Sequence, residues 1–362
     1  MNPKIVFTGG GTAGHVTPNL ALIEVLQKED WQINYIGSAD GVEKEMISAL
    51  NIPFYSISTG KLRRYFSFEN FKDPFKFVAG IGQAYRLLKN LKTDVVFSKG
   101  GFVGLPVVIA AWLNRIPVIV HESDMSPGLA NRLSFPFVNK ICVTFEAAKR
   151  HFKNQEKIEV TGTPIRPELF QGSKDKGLAL CGFTHGKPCL LVMGGSLGSL
   201  RLNNTLRAAL ADLKNYQVIH LCGKGKVDEA YFGNNDYYQF EYANKELADL
   251  FAASDLVVSR AGANALYEIL ALQKPHVLIP LSLKASRGDQ IQNALYYKQK
   301  GISRVIDDDS LTVENFLQTI EEINLHKDEI INKIRDLEIK SATLKIIGLI
   351  KEQIHVESPK VA

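Results

Sequence analysis

Short apolar runs alternate along the chain with longer stretches in which apolar positions recur at helical spacing. KIVFTGG precedes such a stretch at residues 16–28, WQINYIGS one at 42–51, and DVVFSKGG one at 103–114; PVIVHES, KICVTF and IEVTG follow. Strands of this length separated by amphipathic helices read as βαβ units of a parallel sheet. TGTPIRPELF interrupts the rhythm with two prolines. It restarts at CLLVMGGS, with helical stretches at 200–215, 245–253 and 264–273 between YQVIHLCG, DLVVSRAG and PHVLIPL. The pattern therefore predicts an α/β protein of two Rossmann-like domains, at residues 1–163 and 164–340. Three helical stretches follow Leu311, and the last, at 341–362, is expected to pack back on the first domain. Open α/β sheets bind ligands at the carboxyl ends of their strands where the strand order reverses, so two domains facing across a cleft offer two such edges.

Composition narrows this reading. The 362 residues are 45% hydrophobic and 22% charged, as in ordinary globular proteins, and too many for one core. The first residues lack the charged and apolar regions of a secretory signal, and no apolar stretch is long enough to span a bilayer, so a cytosolic protein is expected. Cys142, Cys181, Cys189 and Cys222 are scattered through apolar segments without a CxxC pair and read as free thiols. His185 lies between two of them, but the remaining ligands of a metal site are missing.

Gly9, Gly11 and Gly14 satisfy GxGxxG after a strand and before a helix. Such glycines permit a tight turn and close approach to a pyrophosphate, although an ordinary β-to-α turn also uses glycine for positive φ. SKGGFVGLP and MGGSLGSLR repeat the arrangement, the second in the other domain. His15 follows the first loop at the expected helix start. The dipole there disfavours the imidazolium, leaving a ring able to accept a proton; the alternative is a histidine bonded to neighbouring backbone. In SRAGANALYE, Arg260 falls at a strand end and Glu268 inside the next helix, where a carboxylate can accept both hydroxyls of a ribose or simply face solvent. Asp289, Gln290, Gln292 and Asn293 then gather polar groups suited to sugar hydroxyls, with N-capping by Asp289 as the plainer account.

Taken together, GGGTAGHVTP, SKGGFVGLP, HESDMSPGLANRL, TGTPIRPEL, GGSLGSLRLN, SRAGANALYE and GDQIQNA resemble, in order and over nearly the whole chain, the MurG family of GT-B glycosyltransferases of peptidoglycan synthesis. The resemblance implies a GT-B fold and transfer of N-acetylglucosamine (GlcNAc) from UDP-GlcNAc to the 4-hydroxyl of the muramoyl sugar of undecaprenyl-linked lipid I, giving lipid II with inversion. It implies no cofactor and no metal. Carried over by residue, it places Thr12, Ala13, Gly14 and His15 at the sugar and acceptor side, with Gly100, Gly101, Phe102 and Asn131 lining the acceptor. Arg166 and Ser196 resemble diphosphate ligands, Glu268 a ribose ligand, and Gln290 a contact to the transferred sugar. Arg260 joins the donor set, and the uracil contact falls near Ala243 and Asn244. Asp124 stands where some members carry asparagine in a donor-binding role, and an anion there repels a diphosphate. The general base is left open between His15 and Glu122.

Residues 61–92 hold eight Lys/Arg against two acidic residues, a net of +6 when the whole chain carries +5, together with seven Phe or Tyr. Cations interleaved with aromatic rings suit an anionic bilayer surface, unless the rings are core and the charges merely solvated. Nucleic acid is the competing partner, but no recognition motif accompanies the segment, and none is expected to bind. Peripheral attachment to the cytoplasmic face of the cell membrane is therefore expected. A UDP-GlcNAc 2-epimerase shares the architecture without needing that surface, an NAD-dependent oxidoreductase leaves the second-domain loops idle, and a non-catalytic membrane scaffold tolerates loss of His15.

Overall fold

The computed structural model describes residues 2–60, 73–195 and 197–355. Ser196 and residues 61–72, the first part of the basic-aromatic segment, lie outside the described residues. The chain divides into two compact units: residues up to Arg166 together with those from Ser341 onward, and Pro167–Lys340.

The first unit runs β1 (Lys4–Thr8), α1 (Thr17–Gln27), β2 (Gln32–Gly37), α2 (Val42–Ser48), β3 (Phe54–Ser56), α3 (Asp73–Leu91), β4 (Val95–Ser98), α4 (Gly104–Leu113), β5 (Val118–Glu122), α5 (Leu129–Ser134), β6 (Lys140–Val143) and β7 (Ile158–Val160). Its parallel sheet has the order β3-β2-β1-β4-β5-β6-β7. β4 and β5 are buried along their whole length, as strands covered on both faces must be, which is why their sequences run apolar rather than alternating.

The second unit runs α6 (Lys174–Cys181), β8 (Cys189–Met193), α7 (Leu200–Ala209), β9 (Gln217–Leu221), β10 (Tyr237–Phe240), α8 (Leu247–Ala253), β11 (Leu256–Ser259), α9 (Ala263–Ala271), β12 (His276–Leu278), α10 (Asp289–Gln299), β13 (Ser303–Val305), α11 (Val313–Leu325) and α12 (Lys327–Arg335). Its sheet is ordered β10-β9-β8-β11-β12-β13. Each sheet therefore reverses direction beside its first strand, between β1 and β4 and between β8 and β11, as in a doubly wound nucleotide-binding fold.

The last helix, α13 (Thr343–His355), belongs to the first unit. Ile346, Ile347 and Ile350 enter the core formed by Ile5, Phe7, Leu22, Ile23 and Phe97. The junction is pinned by polar bonds: Ser341 Oγ accepts from Ile165 N at 3.1 Å, Ala342 N donates to Thr163 O at 3.2 Å, and Lys351 pairs with Glu29 at 2.8 Å. All four cysteines are buried free thiols.

Candidate functional site

In the first unit the loops after β1, β4 and β5 leave adjacent strands at the point where the order reverses. The loop after β1 is held from below. Tyr35 donates to Gly9 O at 2.6 Å, and Asn19 Nδ2 donates to Tyr35 at 3.1 Å and to Thr8 O at 3.3 Å. Glu43, fully buried at the start of α2, accepts from Gly11 N at 3.1 Å, Ser38 N at 2.9 Å and Ser38 Oγ at 2.5 Å. A Cβ at Gly10 would stand 2.4 Å from that carboxyl group, and one at Gly101 would stand 2.4 Å from Gly10 O. These two glycines thus serve close packing of chain on chain. Gly11, with φ +88° and nothing within 4 Å of a Cβ, faces open space. Its amide already has an anionic acceptor in Glu43, so phosphate is disfavoured at that amide.

His15 ends a short 3₁₀ turn, Ala13–His15, and α1 begins two residues later with Pro18 in its first turn. The imidazole was expected at the helix start and instead occupies the turn before it, half-buried, with Nδ1 3.2 Å from Thr12 Oγ1. Because this hydroxyl can accept from Nδ1–H, it can set the tautomer that leaves Nε2 basic.

Glu122, 5% exposed, ends β5. Its Oε1 accepts from Asp124 N at 3.0 Å, and its Oε2 from Gly128 N at 3.0 Å and Asn131 Nδ2 at 2.9 Å. Both oxygens thus hold residues 124–131 in place. Asn131 in turn backs Gly100, whose Cβ would lie 2.4 Å from Asn131 Oδ1. Phe102, in the same loop as Gly100 and Gly101, is exposed.

In the second unit the corresponding loops follow β8, β11 and β12. Gly195 and Gly198 have φ of +85° and +68°, and Ser199 caps α7 by accepting from Leu202 N at 3.3 Å. Arg260, 6% exposed, does not stand open to a substrate. Its Nη1 donates to Asp308 Oδ1 at 2.7 Å and Ile279 O at 3.0 Å, and its Nη2 to Ser199 Oγ at 2.5 Å, so it ties three segments of this edge together. Behind the loop, buried His220 lies 3.0 Å from Asn203 Oδ1 and 2.7 Å from the Tyr237 hydroxyl. Asn203 Nδ2 donates to Cys222 O at 2.9 Å, and a Cβ at Gly198 would lie 2.0 Å from that oxygen. Burial pushes His220 down to about 3, with Arg207 adding to the shift, so the ring is a neutral strut.

No side chain caps the N-terminus of α9 at Gly262, and half-buried Glu268 lies farther along the same helix. Gln290, in the first turn of α10, accepts from Leu281 N at 3.1 Å, and its Nε2 lies 4.0 Å from where a Gly262 Cβ would be. Asn293 Nδ2 donates to Ala261 O at 3.2 Å, tethering α10 to the turn before α9. The cap of α10 is Gly288, at φ +88°, and not Asp289, which is 3.6 Å from Arg287 Nε. Asn244 is exposed in the loop after β10, its amide donating to Glu246 Oε2 at 3.1 Å, beside buried Ala243. Arg166 ends the first unit with a buried Nε that has no partner among the described residues. The structure thus joins Thr12 to His15, Glu122 to Asn131 and Gly100, and Gln290 to the start of α9.

Residues 5–143 match the glycosyltransferase family 28 N-terminal domain, and residues 189–346 match the C-terminal domain of that family. A relative from Legionella pneumophila (strain Paris), UDP-N-acetylglucosamine--N-acetylmuramyl-(pentapeptide) pyrophosphoryl-undecaprenol N-acetylglucosamine transferase, is 64% identical over 362 residues, all of both chains. The chain belongs to glycosyltransferase family 28. A Bacillus cereus (strain ATCC 14579) enzyme of the same name, numbered 2, is 51% identical over 350 residues, 96% of this chain and 99% of that one. Among solved structures, Acinetobacter baumannii MurG superposes with a TM-score of 0.77 at 25% identity, covering 97% of this chain and all of that one. UDP-GlcNAc 2-epimerase from Neisseria meningitidis reaches 0.68 at 12% identity, covering 97% of this chain and all of that one. That likeness is of fold alone. The two Rossmann-like units are the GT-B architecture of family 28.

Glu43, Lys99 and His220 were not singled out from the sequence. Glu43 resembles any acidic residue at a helix start, whereas Lys99 carried a signal, a cation inside the apolar run DVVFSKGG. Replacing Glu43 with leucine leaves Gly11 N, Ser38 N and the Ser38 hydroxyl without their acceptor, and is expected to cost about 2–4 kcal/mol in urea unfolding; a cost below about 0.5 kcal/mol contradicts the role given to this carboxylate.

Proposed function

We propose that this family 28 enzyme transfers GlcNAc from UDP-GlcNAc to the muramoyl 4-hydroxyl of undecaprenyl-pyrophosphoryl-MurNAc-pentapeptide, lipid I, forming lipid II. The observation that carries this reading is 64% identity, end to end, with a transferase of that name. The 2-epimerases, at 11–14% identity, share only the fold.

The second unit takes the donor. The amide-rich start of α9 receives the diphosphate, Glu268 accepts from the ribose hydroxyls, and Gln290, whose carbonyl is fixed by Leu281 N, offers its amide to the transferred sugar. The resemblance to the family further implies Arg166 and Ser196 as diphosphate ligands and the backbone near Ala243 and Asn244 as the uracil contact. Arg260 keeps these loops in register. The first unit takes the acceptor along Thr12, Ala13, Gly14, Gly100, Gly101, Phe102 and Asn131.

His15 acts as general base. Thr12 accepts from Nδ1–H, so Nε2 takes the proton of the 4-hydroxyl as that oxygen forms its bond to the anomeric carbon. The bond from that carbon to UDP breaks on the opposite face, its electron pair leaves on the β-phosphate, and donors fixed beforehand hold the new charge. Glu122 shapes the loop that carries Asp124 and Asn131, which leaves His15 as the base. His15→Ala is expected to lower kcat by about 10²–10⁴-fold and to leave UDP affinity within about 3-fold; unchanged turnover removes His15 from the mechanism.

The acceptor is lipid-linked, yet among the described residues no helix is long and apolar enough to cross a membrane. α3 turns Gly80, Ala84 and Leu88 inward and exposes Phe75 (80%) and Val78 (66%). α4, packed against it, exposes Trp112 and Leu113, and α5 exposes Leu129 and Leu133. Lys76, Arg86, Lys89, Arg115 and Arg132 are exposed on or beside these helices. Apolar groups among cations fit the headgroup boundary of an anionic leaflet, so this face docks peripherally on the cytoplasmic side of the membrane. Replacing Phe75 and Val78 with serine is expected to weaken binding to phosphatidylglycerol-containing vesicles by about 10-fold or more without altering UDP binding; sedimentation indifferent to both the substitutions and the anionic lipid contradicts membrane docking by this face.

A further inference from the structure

The loop after β9, CGKGK, lies directly against the glycine loop after β8, with no side chain between Gly198 and Gly223. A Cβ on Gly198 would stand 2.0 Å from Cys222 O, and one on Gly223 would stand 2.7 Å from both Leu197 O and the Cα of Gly198. The loop after β9 is braced along its length. Cys222 N donates to Phe240 O at 2.9 Å, Gly223 N to Glu241 O at 3.1 Å, Gly225 N to Glu241 Oε1 at 2.8 Å and Lys226 N to Gly223 O at 3.1 Å. Arg207, whose guanidinium lies 5.7 Å from the centre of the Tyr231 ring, donates from Nη2 to Lys226 O and to Gln239 Oε1, both at 2.6 Å. In the glycine loop, Gly198 N donates to Gly195 O at 2.9 Å, but the Leu197 side chain is 82% exposed and contributes little packing. Half-buried Lys226 joins the two loops, its ammonium donating to Leu197 O. Arg260 holds the far end of the glycine loop through Ser199 Oγ.

A peptide group that precedes glycine can turn over at small steric cost. Turned outward, the Leu197 carbonyl would present the negative end of its dipole to a phosphate. A cation on that oxygen opposes the turn with a charge-assisted bond, roughly twice as strong as a neutral one. In the donor reading above, on which this inference rests, the loop carries Ser196 as an implied diphosphate ligand. We propose that Lys226 is a positioning residue for the donor: from the braced loop after β9 it holds the Leu197 carbonyl away from the diphosphate, so that the loop after β8 offers N–H groups to the phosphate oxygens.

Titration calorimetry of the full chain with UDP and with uridine tests this without any acceptor. Lys226→Met is expected to weaken UDP binding by about 10-fold and to leave uridine binding within about 2-fold, because only UDP places phosphate at the loop. Lys226→Arg keeps a cationic donor and should bring UDP affinity back to within about 3-fold of the unaltered chain. In steady-state transfer, Lys226→Met should raise KM for UDP-GlcNAc by about 10-fold, with kcat and the KM of a soluble lipid I analogue within about 3-fold. The proposal is overturned if Lys226→Met binds UDP as tightly as the unaltered chain, if it loses UDP and uridine in equal measure, or if Lys226→Arg is as impaired as Lys226→Met. A crystal structure with UDP that shows the ammonium on a phosphate oxygen rather than on Leu197 O overturns it too. Should Lys226→Met fail to fold, Lys226→Gln, whose shorter side chain stops short of Leu197 O, is expected to show the same split between UDP and uridine; full UDP affinity in that variant overturns the proposal equally. Product formation by the unaltered chain tests the transferase reading separately, whatever the variants do.

Discussion

A parallel sheet whose strand order reverses at its first strand must send consecutive crossovers to opposite faces, and the loops at the carboxyl ends of the two diverging strands separate there. This happens between β1 and β4 in one unit and between β8 and β11 in the other. Most of the residues given a chemical role lie on loops or helix starts leaving those strands or their neighbours. The sheet interiors supply rigidity: β4, β5, β8 and β11 are buried throughout, and burial of both faces leaves no freedom of register.

Glycine does two kinds of work at these edges. At Gly10 and Gly101 it allows one loop to lie on another, or on a buried carboxylate, where a Cβ would clash. At Gly11, positive φ leaves backbone turned toward open space, and at Gly195 it leaves backbone in ordinary contact range of the Arg260 side chain. The closely packed positions depend on buried charge. Glu43 holds the first loop and Arg260 holds the loops of the second unit, each with its polar atoms largely committed inside the protein. Such groups are costly to bury and more costly to leave without partners, so they fix loop geometry more firmly than apolar packing would.

The two sheets were legible because fully buried parallel strands produce continuous apolar runs, and KIVFT, VVFS, CLLVM and LVVS are of that kind. The strands that escaped, β3, β10 and β13, are sheet edges of three or four residues, too short and too mixed to show a period. Candidate site positions were legible as glycine and polar clusters at strand ends. Their division of labour was not, because it depends on partners distant in sequence. The sequence puts Arg260 at a strand end but does not show that Asp308, 48 positions away, pairs with its guanidinium. Glu122 takes Gly128 N and Asn131 Nδ2 on one oxygen, six and nine positions on, which no motif announces.

The central claim is that the nucleotide belongs to the second unit, on the turn that begins α9. A crystal structure of the protein with UDP-GlcNAc tests it most directly. The ribose hydroxyls are expected on Glu268 and the diphosphate against the backbone after Gly262, with Gln290 beside the sugar. Uridine lodged instead on the Gly9–Gly14 loop of the first unit, or bound away from Glu268, contradicts it.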